Sequence, residues 1–510
     1  MAKYLIGVDL GTSATKAALY LEDGSLIAES YADVPIYYPD PAVVEQENED
    51  FYKTAAQTVR DSITKSGIDP KDIAAIAFDS QMAGVGAIDE NYEPVSKFDS
   101  WLDMRCEPQI KYLEENFGEI ITKLTGCPPT CDHGPKILWW KSERPKEYKQ
   151  AAKFLMPGGY VAGKMAGLKA DQAFIDYTYI HFSALSNALE GTWSTEICNA
   201  VGMDLEKLPD IVEPWHVVGD VSDKCAKDFG LAPGTIIAAG CGDTAAGALG
   251  AGIVKPGMVF DTAGTASVLA GCTDQYAPDI NNRALLTMRS VIPGLWHPLA
   301  YIAGGGQALT WFRDKFFNAF LGETQEEKDL YKELEELAEK APLGASDLYF
   351  SPHLTGRICP ATPEMRGAWV GFSFSHSQEH FYRAVLESVA YEYAYYLNIL
   401  KELIPNLNLT EARVIGGGAQ SDIWNQIKAD VLGVPFLRLA RSEFGTWGAA
   451  MIAGKAAGIY DDLADIAYRH AIAAGPAIEP DTNNHDQYQV HVKRYIELQD
   501  TLADTFRSYT

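Results

Sequence analysis

Positive charge is scarce in this chain: 42 Lys and Arg face 69 Asp and Glu among 510 residues, a formal net charge of −27. Nucleic-acid partners are excluded on that balance, because phosphate backbones are met by Lys and Arg gathered on one face. A single nucleotide is not excluded. Backbone N–H groups, Mg²⁺ and one or two cations can hold its phosphates in an acidic protein. Cysteine is sparse too, with eight residues scattered in no disulfide framework, so they read as cytosolic thiols. The close pair Cys127 and Cys131, followed by His133, lacks a nearby second pair to complete a metal site. No apolar run reaches membrane-spanning length, and no signal-peptide core follows Met-Ala-Lys. The expected location is cytoplasmic, with no membrane partner. Missing as well are the Gly-Lys-Ser/Thr ending of a P-loop and the Gly-x-Gly-x-x-Gly fingerprint. Any bound phosphate must be held another way.

What is present is an ordinary globular composition, 47% hydrophobic and 22% charged, in a chain long enough for two or three domains. Residues 4–10 and 15–21 read as strands joined by a Gly-Thr-Ser turn. A third strand follows the Glu-Asp-Gly-Ser turn at 22–25. Phe51, Ala55, Val59 and Ile63 are spaced for an amphipathic helix over 49–66, and another strand starts at Ile73. Three antiparallel strands, a helix and a strand open a ribonuclease-H-like α/β domain. The theme returns at 258–271, where an apolar strand, an Asp, a Gly-Thr turn and a second strand parallel residues 4–19. Asp9 and Gly11-Thr12 align with Asp261 and Gly264-Thr265 if one residue is inserted. Such a duplication implies two similar domains, 1–249 and 250–510, facing each other across a cleft. Further helices are expected at 324–340 and 378–403, and a strand–Gly-turn–helix unit at 412–432. The many tyrosines of 378–403 and of the C-terminal helix read as core packing, with a homodimer interface as the alternative.

Three glycine turns follow apolar strands: Gly11-Thr12-Ser13, Gly264-Thr265 and Gly416-Gly417-Gly418. Glycine lets the backbone approach closely, so successive N–H groups can point at phosphate oxygens. Beside the first turn, Lys16 can neutralise a transferred phosphoryl group, or can be a plain solvated lysine. Asp9 ends a buried-looking strand, where an unpaired carboxylate is costly. A Mg²⁺ ion resolves that cost; a structural hydrogen bond is the other reading. Asp243, in Gly240-Cys-Gly-Asp-Thr, lies at a strand-to-helix turn, where a capping Asp needs no function.

Taken together, these motifs resemble the FGGY family of carbohydrate kinases along nearly the whole chain, most closely the xylulose kinases. IGVDLGTSATK at 6–16 is similar to the family's first phosphate motif, with Asp9 in the Mg²⁺-associated place. GCGDTAAGALG at 240–250 is similar to the segment whose Asp is the general base. The resemblance thus implies Asp243 as base, aided by Lys16, with Asp9 and Asp243 near the metal. It implies sugar contacts from Trp101, Asp103 and Arg105, from Gln81, Met82 and Ala83, and from Asp243 and Thr244. It implies ATP contacts from Gly11, Thr12, Ser13, Lys16, Gly264, Thr265, Gly306, Gly417, Gly418 and Asp422. Pro135-Lys136 through Trp139, and Gly367 through Glu387, resemble the two family signatures, with departures at Trp140, Ser142 and Phe372.

The expected reaction is ATP- and Mg²⁺-dependent phosphorylation of a small sugar, with D-xylulose first. In xylulose kinases a Gln-Met-His-Gly run helps hold the ketose. Here Ala83 replaces the imidazole, and a lost polar partner relaxes discrimination. Ribulose, gluconate, erythritol or a linear signalling polyol are the alternatives. From another class, an actin-like ATPase without a sugar shares the phosphate hairpins.

Overall fold

The computed structural model describes residues 3–264, 266–317 and 327–509. The chain gathers into two compact units. The first holds Met1–Val254, Thr287–Trp296 and Glu443–Ala471; the second holds Lys255–Leu286, His297–Ser442 and Ile472–Thr510. The chain leaves the first unit after Val254 and returns to it twice, and no shift in composition announces those returns.

In the first unit β1 (Tyr4–Leu10), β2 (Ala14–Leu21) and β3 (Leu26–Asp33) form an antiparallel meander. Helix α1 (Asn48–Ser66) buries Phe51, Ala55, Val59 and Ile63, one residue per turn, against that sheet. Gly67 ends it at φ 68°, its N–H on the Ile63 carbonyl. The chain then enters β4 (Ile73–Ser80), parallel to β1. Much later β5 (Ile236–Ala238) adds in parallel to β4. The spatial order is β3-β2-β1-β4-β5, the ribonuclease-H-like arrangement. A two-residue strand β6 (Cys241–Gly242) pairs with the end of β4 and feeds helix α2 (Asp243–Gly250).

The second unit repeats this plan. Strands β7 (Met258–Ala263), β8 (Ser267–Gly271) and β9 (Trp296–Ile302) are antiparallel neighbours. After α3 (Gln378–Leu403), β10 (Glu411–Ile415) lies parallel to β7; after α4 (Asp422–Leu432), β11 (Phe436–Arg438) lies parallel to β10. The order β9-β8-β7-β10-β11 matches those five strands of the first sheet; beyond them the first sheet adds an edge strand, Val217–Asp220, beside β5, and the second adds Leu286–Arg289 beside β9. The likeness of two Gly-Thr turns therefore extends to whole domains, and the protein is two ribonuclease-H-like α/β folds. Four of the five tyrosines of α3 lie inside: Tyr382, Tyr391, Tyr393 and Tyr396 are buried, and Tyr395 is half-buried. Of the expected 324–340 helix, Glu327–Ala338 is present, and residues 324–326 lie outside the described residues. Among the described residues no helix is long and apolar enough to cross a membrane.

The helix Gly445–Ala456 belongs to the first unit and lies on β1. It seats there because Gly7 has no side chain: a Cβ on Gly7 would fall 1.8 Å from the Thr446 carbonyl oxygen and 2.8 Å from the Ala450 nitrogen. Neither backbone atom can yield without moving the helix. Gly7→Ala is expected to lower stability by about 3 kcal/mol, the upper end of ordinary overpacking. The midpoint of urea unfolding measures this, and an unchanged midpoint would show that the helix does not press on Gly7.

Candidate active site

Strand register brings charge into line. Asp9 pairs with Lys16 across β1–β2 and with Asp79 across β1–β4, and Asp79 pairs with Cys241 of β6. Directly paired residues project from the same face of a sheet. Lys16, Asp9 and Asp79 thus form a row at the carboxyl ends of β1 and β4, where open α/β sheets bind ligands. Asp243 follows two residues after Cys241, as the first residue of α2.

Asp243 does not cap that helix. Gly242 occupies the N-cap position, without a side-chain bond, and the Asp243 carboxylate accepts from the Thr244 N–H (2.6 Å) and hydroxyl (3.2 Å). Burial pushes its carboxyl up to about 6 against those two bonds. Asp9 is pushed up to about 7, by burial first and then by the charge of Asp243. Asp79 is fully buried, and neither of its carboxylate oxygens has a hydrogen-bond partner. Burial, Asp9 and Asp243 together hold its carboxyl well above the ordinary range. A Cβ on Gly445 would lie 3.4 Å from Asp79 Oδ1, so the amino end of the Gly445–Ala456 helix faces this carboxylate with its partial positive charge. Sequence reasoning missed Asp79. Its signal was the one used for Asp9: a carboxylate ending an apolar strand. Glu443 was missed as well; both of its oxygens accept from the Lys16 ammonium at 3.2 Å.

A polar chain links the first phosphate turn to the residues expected at the sugar. The Trp101 indole N–H donates to Thr12 Oγ1 (2.9 Å), and Gln46 donates to the Thr12 carbonyl (2.8 Å). Gln81 donates to Gln46 Oε1 (2.9 Å). Gln46 is a further residue the sequence did not single out. The Met82 thioether lies against Gly242, where an added Cβ would come within 2.7 Å of it. Ala83 takes the left-handed conformation, φ 61°, a strain of about 1 kcal/mol or more that non-glycine residues bear chiefly at functional loops. Asp103 and Arg105 are paired with one another. The Asp103 carboxylate is buried, accepting from the Arg105 guanidinium (2.9 Å) and the Val44 N–H (2.9 Å). Arg105 also pairs with Asp99 (2.7 Å) and Glu45 (3.0 Å). Of the Trp101–Arg105 segment, Trp101 and Met104 stand out toward solvent.

The second unit gathers its own glycines. Gly264 lies in the β7–β8 turn, and its expected neighbour Thr265 lies outside the described residues. Gly416 adopts φ 87° with its Cβ position 2.8 Å from the Ala263 carbonyl oxygen, so only glycine lets the turn after β10 sit beside the β7–β8 turn. Gly417 follows, open on its Cβ side, and Gly418 packs on Trp424 and Ala263. Gly306 lies in the first turn of the helix Gly305–Phe312, whose Gly305 rests on Ser267. Asp422 is exposed and pairs with Arg438 at 2.9 Å. The duplicated aspartate has changed character. Asp261, the counterpart of Asp9, is buried between Lys428 and the Tyr393 hydroxyl (2.7 Å). Its strand partners are Leu269 and Val414, where Asp9 has Lys16 and Asp79.

Among the described residues no three His, Cys, Asp or Glu side chains are arranged to hold a metal ion directly. Yet Asp79 presents two buried oxygens without a donor, and Asp9 lies beside it in register. A pair so short of counter-charge suits a hard cation such as Mg²⁺, which keeps most of its waters and takes only one or two carboxylates.

Residues 4–250 match the model of the FGGY family of carbohydrate kinases, N-terminal domain, and residues 260–457 match that of its C-terminal domain. The xylulose kinase of Bacillus subtilis (strain 168) is 28% identical over 489 residues, covering 96% of this chain and 95% of its own. The gluconokinase of the same organism is 27% identical over 517 residues, covering 99% and 97%. A solved structure of ligand-bound xylulose kinase from Lactobacillus acidophilus shares the fold, with a TM-score of 0.90 at 24% identity over 100% of both chains. With both of its halves matched in order, the chain belongs to the FGGY family of carbohydrate kinases.

Proposed function

We propose that this carbohydrate kinase transfers the γ-phosphoryl group of ATP to a primary hydroxyl of a ketopentose such as D-xylulose, with Asp243 as the general base. The observation that carries this reading is the row of Lys16, Asp9 and Asp79 in register beside Asp243. Asp243 takes the proton of the attacking hydroxyl on its carboxylate. Thr244, bonded to one carboxylate oxygen, holds the side chain in place and leaves the other oxygen for the substrate. Lys16, released from Glu443, meets the phosphoryl charge together with the amides of the Gly11–Ser13 turn. Asp9, with Asp79 beside it, would hold Mg²⁺ through its waters, and that ion supplies neutralisation of phosphate charge. Gly264, Gly306, Gly417 and Gly418 accommodate the nucleotide, with Asp422 at the start of α4. Trp101, Gln81 and Met82 orient the sugar, so that its hydroxyl reaches the base already positioned.

Ala83 favours a second reading, a sugar acid such as gluconate, since a gluconokinase is nearly as similar as a xylulose kinase. A coupled assay over D-xylulose, L-xylulose, D-ribulose, L-ribulose, gluconate, glycerol and erythritol separates the two. D-Xylulose is expected to give the highest kcat/KM. A tenfold or greater preference for gluconate replaces the first reading with the second.

A further inference from the structure

The thiol that the spacing of Cys127 and Cys131 singled out has a different neighbour in the fold. Cys131 Sγ lies 3.7 Å from Cys106 Sγ. The Lys136 ammonium, on the helix His133–Glu143, sits 2.7 Å from Cys131 Sγ and 4.0 Å from Cys106 Sγ. Lys136 is 1% exposed, and its remaining hydrogen-bond partners are two backbone carbonyls, Asp103 (2.9 Å) and Cys131 (3.3 Å). A buried ammonium needs a counter-charge. Asp132, next in sequence, does not provide one by contact, for its buried carboxyl oxygens make no hydrogen bond and burial holds it well above the ordinary range. As a thiol Cys131 donates to the Asp103 carbonyl (2.7 Å); once that proton is lost, its sulfur, 2.7 Å from the ammonium, carries the counter-charge that Lys136 lacks. In keeping with this, the bond from Cys106 and the Lys136 charge draw the Cys131 thiol down to about 6, while that same bond and burial push Cys106 up. Access completes the arrangement: seven of the eight cysteines are buried and Cys131 is not.

We propose that Cys131 and Cys106 form an oxidation site, in which Lys136 activates Cys131 toward hydrogen peroxide and closure of the disulfide slows sugar phosphorylation. In the first step the Cys131 thiolate attacks one peroxide oxygen. An S–O bond forms, the O–O bond breaks, and the departing hydroxide takes a proton to leave as water, giving a sulfenic acid. In the second step Cys106 gives up its proton and attacks the Cys131 sulfur. The S–S bond forms, the S–O bond breaks, and the hydroxyl leaves with that proton as a second water. Two thiols are oxidised by two electrons in all, and one peroxide is reduced to two waters. A disulfide spans about 2.05 Å, so the sulfurs must approach from 3.7 Å. Cys106 follows Arg105 directly and opens the helix Glu107–Thr125, so its movement draws on the segment carrying Trp101, Asp103 and Arg105.

Only the effect on turnover rests on the proposed function; the thiol chemistry stands apart from it. The experiment treats the full-length protein with hydrogen peroxide, blocks remaining thiols, maps the peptides without reductant, and measures turnover on whichever sugar the panel identifies. The expected result is loss of two free thiols, a linked Cys106–Cys131 peptide pair, and at least a fivefold fall in turnover that dithiothreitol reverses. Cys131→Ser and Cys106→Ser, near-isosteric changes, should each form no such pair and keep their turnover under peroxide. Thiols lost first at another cysteine, or a closed disulfide with unchanged turnover, overturns the proposal.

Discussion

Asp243→Ala is expected to bind ATP as the parent does and to phosphorylate sugar more slowly by about 10²–10⁴-fold, the usual contribution of a general base. Asp243→Asn should do the same. The amide keeps the size of the side chain and can still accept from Thr244, so it isolates the loss of basicity from any loss of shape. A capping role would predict the opposite, because Asn caps helices as well as Asp, and here Gly242 already holds the cap position. The parent's pH profile carries an independent check. Burial raises Asp243 to about 6 and Asp9 to about 7, and both must be ionised for proton transfer and cation binding. Raised carboxyls are protonated as pH falls through those values, so kcat/KM should decline from neutral pH through pH 6 rather than near pH 4. Both apparent values belong to the cluster as a whole. A flat profile down to pH 5, or near-parental turnover in Asp243→Asn, would remove Asp243 from the role.

The second large effect is on stability and lies in the other unit. Lys428 and Asp261 are both fully buried, and their pairing leaves no water to share the charge. Lys428 also rests over the Trp424 ring at 4.5 Å and the Phe436 ring at 5.2 Å. Lys428→Met keeps the apolar stem and removes the cation, leaving Asp261 with the Tyr393 hydroxyl alone. Breaking one side of a buried pair costs about 3–5 kcal/mol, a fall in Tm on the order of 10 °C. The double variant Asp261→Asn/Lys428→Met removes both charges and leaves Tyr393 an acceptor, so it should recover much of that loss. Calorimetry distinguishes the outcomes. A double variant less stable than Lys428→Met would mean that the pair is not what the single change breaks.

Local pattern carried the first sheet well. The β-rich apolar runs of residues 4–10 and 15–21 and the turn residues between them gave the hairpin, and one apolar residue per turn gave α1 almost to its ends. Asp79 stayed hidden because its meaning depends on a parallel pairing with Asp9, some seventy positions earlier. Nothing in the apolar run before it specifies which strand lies alongside. Asp103 and Arg105 were visible as residues but not as a mutually satisfied pair, since Glu45 comes from a strand far earlier in the chain and Asp99, though close in sequence, is turned toward Arg105 by the strand Phe98–Asp99. The Cys106–Cys131 contact failed for a related reason. Spacing draws attention to Cys127, while the fold returns the chain to Cys106 through a whole helix. Short-range chemistry is readable in this chain; a residue's neighbour across a strand pairing is not.

The seat of the Gly445–Ala456 helix on Gly7 has a consequence for how the protein is made. A ribosome finishes Val254 roughly 200 residues before it finishes Ala456, and at about 5–20 residues per second the gap lasts about ten to forty seconds. Through that interval the nascent first sheet has every strand but lacks the helix that covers β1. Its bare apolar face is open to self-association or to a holding chaperone. The glycine slot therefore serves as a reservation in the growing chain, kept empty by Gly7 for the Thr446 turn of a helix made more than four hundred residues later.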